Sequence, residues 1–412
     1  MPQPTPNPWN KIERVSFRFS FIFLCSFVFI HNPVLPLAGF MGKVLDRAVI
    51  WLSNSVLELN YIIPTIRRGG SGDTLYHYIT LLLILIISIL GATFWSWLDR
   101  KKKQYFNLHY WLLAIVRYYL ALTFIHYGLV KVIKLQFSSP DLTRLLTPYG
   151  DSSPMGLAWT FFGFSDGYNI FIGICELFAA LLFFRRTATL GALICIAVSA
   201  NIMAINYFFD VPVKILSTML FVMSLFLLVP NFKQLFKFFL SNEAVQLKEI
   251  ERPLLSKKWV NTSIAIFKYL IIIAPITFLI FSNINQRKHY GDGAPKLPLY
   301  GVYKVESFES ERPVTKWEEL AIQRSEHSII RMLGEKLEFC NMTVDTSKHE
   351  LTIAFKDDPV TFHRFKYTLR DPDNLDLHGI YFDQSLKVKL VKQHFQLVER
   401  SFNWVSEEPY NR

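Results

Sequence analysis

Residues Tyr110–Gln136, YWLLAIVRYYLALTFIHYGLVKVIKLQ, decide how the chain is read. The run is long and apolar enough for one helix to cross a bilayer, which takes about 20 residues. It nevertheless carries Arg117, His126 and Lys131. A charge at mid-membrane costs about 3 kcal/mol even on lenient scales, so such groups face a bundle interior and find partners there. On a helix, positions 117, 121, 124, 128 and 131 fall along one stripe. Arg117 and Lys131 therefore share a face, about 21 Å apart along the axis, with His126 on roughly the opposite side. Such a helix is not a plain anchor, and the rest of the chain must supply what these groups pair with.

The surrounding composition agrees with a membrane protein that carries a substantial soluble part: 51% hydrophobic residues, 19% charged residues and a mean hydropathy of +0.25 over 412 residues. The net charge of +11 would suggest nucleic acid in a soluble protein. Here the basic residues gather in short loops between apolar spans, where they orient helices by the positive-inside bias, so nucleic acid is not expected as a partner. Of the four cysteines, Cys25, Cys175 and Cys195 lie in apolar runs and Cys340 stands alone. Neither a disulfide framework nor a Cys/His metal spacing results.

Outward from the opening stretch, about seven crossings are expected. The first covers roughly 19–37 after Lys11, Arg14 and Arg18; without a clear cleavage site it reads as an uncleaved span rather than a signal peptide. Residues 41–60 are amphipathic and suit a helix on the membrane surface. Further spans follow at about 75–98, 110–136, 167–184, 187–206, 212–229 and 259–282. The basic clusters LDRKKKQ (98–104), Arg185–Arg186 and the lysines and arginines of 231–258 fall on alternate loops, with Arg67–Arg68 as the one dissent. The expected topology is N-terminus inside and C-terminus outside. From about residue 283 the pattern changes to alternation of apolar and polar residues, as in ELTIAFKD and VTFHRFKYTLRD. That reads as antiparallel strands of a small sandwich or barrel, with a short helix over 316–333 before most of them. The resulting divisions are 1–105, an N-terminal membrane segment; 106–230, a four-helix membrane module; 231–282, a cytoplasmic loop and last span; and 283–412, an extracytoplasmic β-rich domain.

Several polar residues fall within or at the outer ends of these spans. Glu176, in GICELFAALLFF, lies near the middle of its span, and an antiparallel neighbour would bring Arg117 to a similar depth, so an Arg117–Glu176 ion pair is expected. His126, Lys131, Asn201 and Asn206 join these two as a candidate intramembrane polar site. Asp73, Asp151, Asp166, Asp210 and Lys214 are candidate residues of an outward mouth. Each has a plainer role open to it: lysines snorkel to the interface and asparagines bridge helices. Convergence on one side favours a polar cavity. No nucleotide loop, nucleophile elbow or HExxH motif is present.

The runs RYYLALTFIHYGLVK (117–131), GICELFAALLFFRR (173–186) and NYFFDVPVK (206–214), with Asn201, resemble the four-helix module of the DoxX-like membrane proteins. The whole chain, including GSGDT (70–74), YGDSSPMGLAW (149–159) and FNWVSEEPYNR (402–412), is similar to larger DoxX-family proteins of Bacteroidetes-type bacteria that carry an extra C-terminal domain. The bundle-then-β layout also resembles, more distantly, the HTTM modules of vitamin K-dependent γ-carboxylases, although no catalytic lysine can be matched here. The DoxX resemblance implies an inner-membrane protein and links to thiosulfate:quinone oxidoreductase subunits and thiol-stress complexes. Two functional readings follow. One is an accessory component that binds a lipid or quinone-like molecule and docks a periplasmic partner through its β domain. The other is a quinone-linked oxidoreductase subunit in which Arg117, Glu176 and Lys131 hold the quinone or move protons; a γ-carboxylase-like enzyme is a weaker third.

Overall fold

A computed structural model describes residues 9–32, 42–63, 71–247, 253, 257–323, 328–334, 337–400 and 402–411. The chain forms two units, one of residues 1–133 and 167–283, the other of 134–166 and 284–412.

The first unit is helical. Helix α1 (Lys11–Ile30) opens with a capping box in which Asn10 and Glu13 each accept the other's backbone N–H. Helix α2 (Gly42–Trp51) continues into a π-turn at Leu52–Val56. It packs Val49 and Leu52 on Ile79. Then come α3 (Leu75–Leu98) and α4 (Phe106–Val132). Later helices α7 (Asp166–Leu177), α8 (Ala188–Phe208), α9 (Lys214–Leu228), α10 (Phe232–Leu240) and α11 (Lys258–Arg287) complete the set; α5 and α6 belong to the second unit. Among the described residues, six segments are long and apolar enough to cross a membrane: Leu75–Leu98, Phe106–Val132, Asp166–Phe183, Ala188–Phe208, Lys214–Leu240 and Lys258–Arg287.

Helix α1 is not among those six, because its first turns are basic. Yet Arg18 donates to Ser96 Oγ at 2.8 Å, Ile22 meets Gly91, and the rings of His31 and His77 lie 6.4 Å apart. It therefore runs antiparallel to α3 for about 28 Å of that helix's length and passes through the same layer. It starts earlier than the expected span and ends at Ile30; residues 33–37 of that expectation lie outside the described residues, as do Arg67 and Arg68.

The span at Asp166–Phe183 changes helix type midway. Twelve α-helical residues reach about 18 Å. Winding Phe178–Phe183 as 3-10 helix raises the total to about 30 Å, the thickness of a hydrocarbon core.

In the second unit, strands β1 (Gly301–Ser310), β2 (Trp317–Ile322), β3 (Ser328–Met332), β4 (Leu337–Asp345), β5 (Glu350–Phe355), β6 (His363–Asp371), β7 (Asn374–Tyr381) and β8 (Gln384–Lys392) form a closed antiparallel barrel, each strand paired with its neighbour in sequence and β1 with β8. Of the two expected β architectures, the chain takes the barrel. Alternate side chains fill it: Phe365, Tyr367, Leu375, Leu377, Leu386, Val388 and Leu390 are buried. The helix expected over 316–333 is instead β2 and β3. A register shift between Trp317 and Glu319 lets Trp317 and Leu320 both turn inward, a three-residue spacing that imitates a helix. On the outside, Ala321 and Ile329 are covered by Leu142 and Leu146 of α5 (Leu142–Leu146), so β2 is buried on both faces and loses its period-two signature. The loop that carries α5 and α6 (Pro154–Phe164), expected within the 106–230 module, packs with the barrel. Gln323 donates to Thr143 Oγ1 at 2.6 Å, and Arg331 donates to the Leu146 carbonyl.

Candidate functional site

Helices α4 and α7 touch backbone to backbone. A Cβ at Gly128 would lie 2.9 Å from the Gly173 carbonyl oxygen, and a Cβ at Gly173 would lie 2.8 Å from that of Gly128. Only glycine permits this approach, the usual means of close helix packing in lipid. Each glycine has a charged residue three positions on, in Gly128-Leu-Val-Lys131 and Gly173-Ile-Cys-Glu176. Lys131 Nζ lies 2.8 and 2.9 Å from the two Glu176 carboxylate oxygens. The two residues are 6% and 2% exposed. Lys131 thus turns inward to its partner rather than snorkelling outward.

The expected Arg117–Glu176 pair is not formed, and helix geometry explains why. Taking Gly128 and Gly173 as one level, Arg117 sits about 16 Å below it and Glu176 about 4 Å below. Side chains tilt toward the N-terminus of their own helix. On antiparallel helices Lys131 and Glu176 therefore lean toward each other, whereas Arg117 leans away from Glu176. Arg117 donates instead to the Leu182 carbonyl at 2.8 Å. Leu182 lies in the 3-10 stretch where the helix ends, so its carbonyl has no continuing helix to bond, and a cation there also meets the negative end of the helix dipole. The shared stripe of Arg117 and Lys131 holds, since both reach this one span.

Around the pair, Lys131 Nζ lies 5.7 Å from the Tyr127 ring centroid and the His126 ring lies 5.2 Å from that of Tyr127. His126 Nδ1 is buried without a hydrogen-bond partner among the described residues. Asp73, Asn206, Asp210 and Lys214 close the α8–α9 turn. Asp73 accepts the backbone N–H groups of Lys214 at 2.6 Å and Ile215 at 3.0 Å, capping α9 from a distant segment. Lys214 pairs with Asp210 at 2.9 Å. Asn206 donates to the Val213 carbonyl at 3.3 Å. Asn201 is exposed on α8.

In the second unit, Asp151 is exposed, and Asp166 pairs with Lys134. Lys134 also meets Asp292 at 2.9 Å, and Asp292 accepts the backbone N–H of Ser139 at 3.1 Å. Burial opposes the Lys134 charge, but the bonds to Asp166 and Asp292 outweigh it and hold its pKa above the usual lysine range. Burial likewise pushes the Asp292 carboxyl upward, and Lys134 and Ser139 together outweigh that and hold it below the usual carboxylate range. Sequence reasoning missed Asp292, because nothing local in Gly291-Asp-Gly links it to a lysine so far upstream. It also missed Arg18 as an interior residue. Arg18 is 4% exposed and donates to Ser96, the Asp99 carbonyl and Tyr105 Oη, while Tyr105 donates to Asp99. The signal available was a lone arginine four residues past the other basic residues, inside an aromatic run.

No protein-family profile matches the chain, and no solved structure matches it. It is similar to "Uncharacterized protein YwoB" of Bacillus subtilis (strain 168), 45% identical over 119 residues, which make up 28% of this chain and 73% of that protein. With that identity and coverage, the chain belongs to the family of YwoB.

Proposed function

We propose that the protein is a DoxX-like component of the bacterial inner membrane that binds a lipid or quinone-like molecule at Lys131–Glu176 and docks a periplasmic partner through its barrel. The observation that carries the reading is the Lys131–Glu176 pair itself. Two apolar residues in its place would hold the helices together without the cost of dehydrating two charges. Charges kept inside a membrane span are functional by default. The ammonium offers donors to a carbonyl or headgroup oxygen, and the carboxylate offers an acceptor to a hydroxyl.

Sidedness rests on the loops. Arg100–Lys103, Arg185–Arg186 and the lysines around 233–258 lie on alternate connections, which places these on the cytoplasmic side. Arg14 of α1 donates to the Lys102 carbonyl at 3.0 Å, so α1 begins at the level of the first of these loops. Counting α1, seven crossings support a periplasmic barrel. The docking role is supported by Leu333, Phe362 and Phe382, all exposed on turns at one end of the barrel. Phe382 holds a left-handed φ of 45°, a conformation that costs a bulky residue about 1 kcal/mol or more.

A quinone-linked oxidoreductase subunit is the second reading. His126 Nδ1, buried without a hydrogen-bond partner among the described residues, favours it, since a proton-coupled site needs a titratable group beside its ligand. Solvent extraction of the detergent-purified chain separates the two, with absorbance recorded before and after borohydride reduction. A retained, reducible quinone chromophore supports the oxidoreductase reading. A stoichiometric lipid without a chromophore supports the accessory one. An extract holding bulk phospholipid alone removes the ligand from both.

A further inference from the structure

The chain ends in a built loop that the reading above does not use. Strand β8 closes beside the start of β1, with Lys392 opposite Tyr303 and Gln393 donating to the Val302 carbonyl at 2.7 Å. Helix α12 (Gln396–Glu399) follows. The Arg400 guanidinium then lies 3.7 Å from the Tyr410 ring centroid, and the Tyr410 hydroxyl donates to Gln396. His394 anchors the base through Glu399 at 3.0 Å and Asp373 at 3.5 Å. A loop whose ends are tied this closely is an Ω-loop, a form often used to present a functional tip. This tip carries Phe402 at 77%, Trp404 at 91% and Val405 at 76% exposure, with the Phe402 and Trp404 rings edge to face at 5.2 Å. Three large apolar side chains held out together on an ordered base mark an interaction surface.

We infer that the Phe402–Val405 tip is a membrane-interface anchor that seats in the headgroup region of the bilayer crossed by α11. Connectivity selects this occupant. The chain enters the barrel at Gly301, shortly after α11 ends at Arg287, and the tail leaves beside that entry. From Arg287 to Gly301 the chain spans at most about 50 Å and from Lys392 to Trp404 at most about 40 Å, so the tip is tethered within reach of the level at which α11 leaves the lipid. Such tethering raises the local concentration of bilayer to a level that a diffusing partner does not match. Tryptophan and tyrosine favour this zone, where the ring is apolar and the N–H or O–H stays wet. The α11 exit has the same chemistry, with Arg287, Lys288 and the exposed Tyr290.

The test uses the full chain in nanodiscs of phosphatidylethanolamine and phosphatidylglycerol, with and without bromine on the upper acyl chain. The chain holds nine tryptophans, so the Trp404 signal is taken as the difference between wild type and Trp404→Phe. The expected result is a blue-shifted difference spectrum that brominated lipid quenches and aqueous iodide does not. Phe402→Asp with Val405→Asp, both exposed and harmless to folding, should return it to hydrated emission. Emission of a hydrated indole in the wild type, quenched by iodide alone, overturns the proposal. A blue shift that bromine does not quench also overturns it, because Trp404 would then be covered by protein.

Discussion

Lys131 and Lys134 are three residues apart, both buried and both paired with carboxylates, yet their surroundings differ. Lys131 has Glu176, itself 2% exposed, on a neighbouring transmembrane helix. Lys134 has Asp292 at 21% side-chain exposure and Asp166 at 74%, in a loop network of the barrel unit. In the first case the ammonium left by losing its carboxylate sits in a hydrocarbon layer. In the second, a remaining partner and water can take over. The same residue type therefore makes one pairing that the fold cannot lose cheaply and one that it can.

Five changes probe that difference. Glu176→Ala should have the largest effect, about 3–5 kcal/mol, because it strands a buried charge; thermal unfolding in detergent reads it. Replacing both members, Lys131→Met with Glu176→Leu, should recover most of that stability, since an apolar pair of similar size is often neutral or better. Gly173→Val should follow, costing about 1–3 kcal/mol by overpacking against the Gly128 carbonyl, and it should be less than additive with Glu176→Ala because both act on the α4–α7 contact. Asp292→Asn should cost about 2 kcal/mol in the barrel unit, within the range for a hydrogen bond to a charged group. Asp166→Asn, at an exposed carboxylate, should cost less than about 1 kcal/mol.

The pH dependence sharpens the comparison. Asp292 is held below its ordinary pKa, so its contribution is complete above about 4 and is lost as pH falls through the depressed value. Lys134 is held above its ordinary pKa, so its contribution is complete below about 10 and is lost as pH rises through the raised value. Barrel-unit stability should therefore fall at both extremes, and Asp292→Asn should flatten the acid limb, as a denaturant series from pH 3 to 6 would show.

Much of this architecture was legible from composition and periodicity. The spans at 75–98 and 187–206 were placed to within two residues, because continuous apolar runs have one reading. The strands from β4 onward alternate cleanly, since one face fills the barrel and the other meets water. What could not be read was relational. Glu176 was singled out, but its partner depends on the level at which Gly128 meets Gly173, and no single-helix pattern fixes that. Strands β2 and β3 looked helical because a bulge and the cover supplied by α5 removed their alternation. Asp73 caps α9 through the backbone N–H groups of Lys214 and Ile215, a contact between distant segments that no local pattern announces.

The most direct test of the central claim is native mass spectrometry of the wild type beside the Lys131→Met, Glu176→Leu double variant, both purified in the same detergent and shown folded. The expected result is a stoichiometric lipid or quinone-like molecule on the wild type that is absent from the equally stable double variant. The same ligand on both proteins, or on neither, would contradict it and leave the Lys131–Glu176 pair as a clamp between two helices.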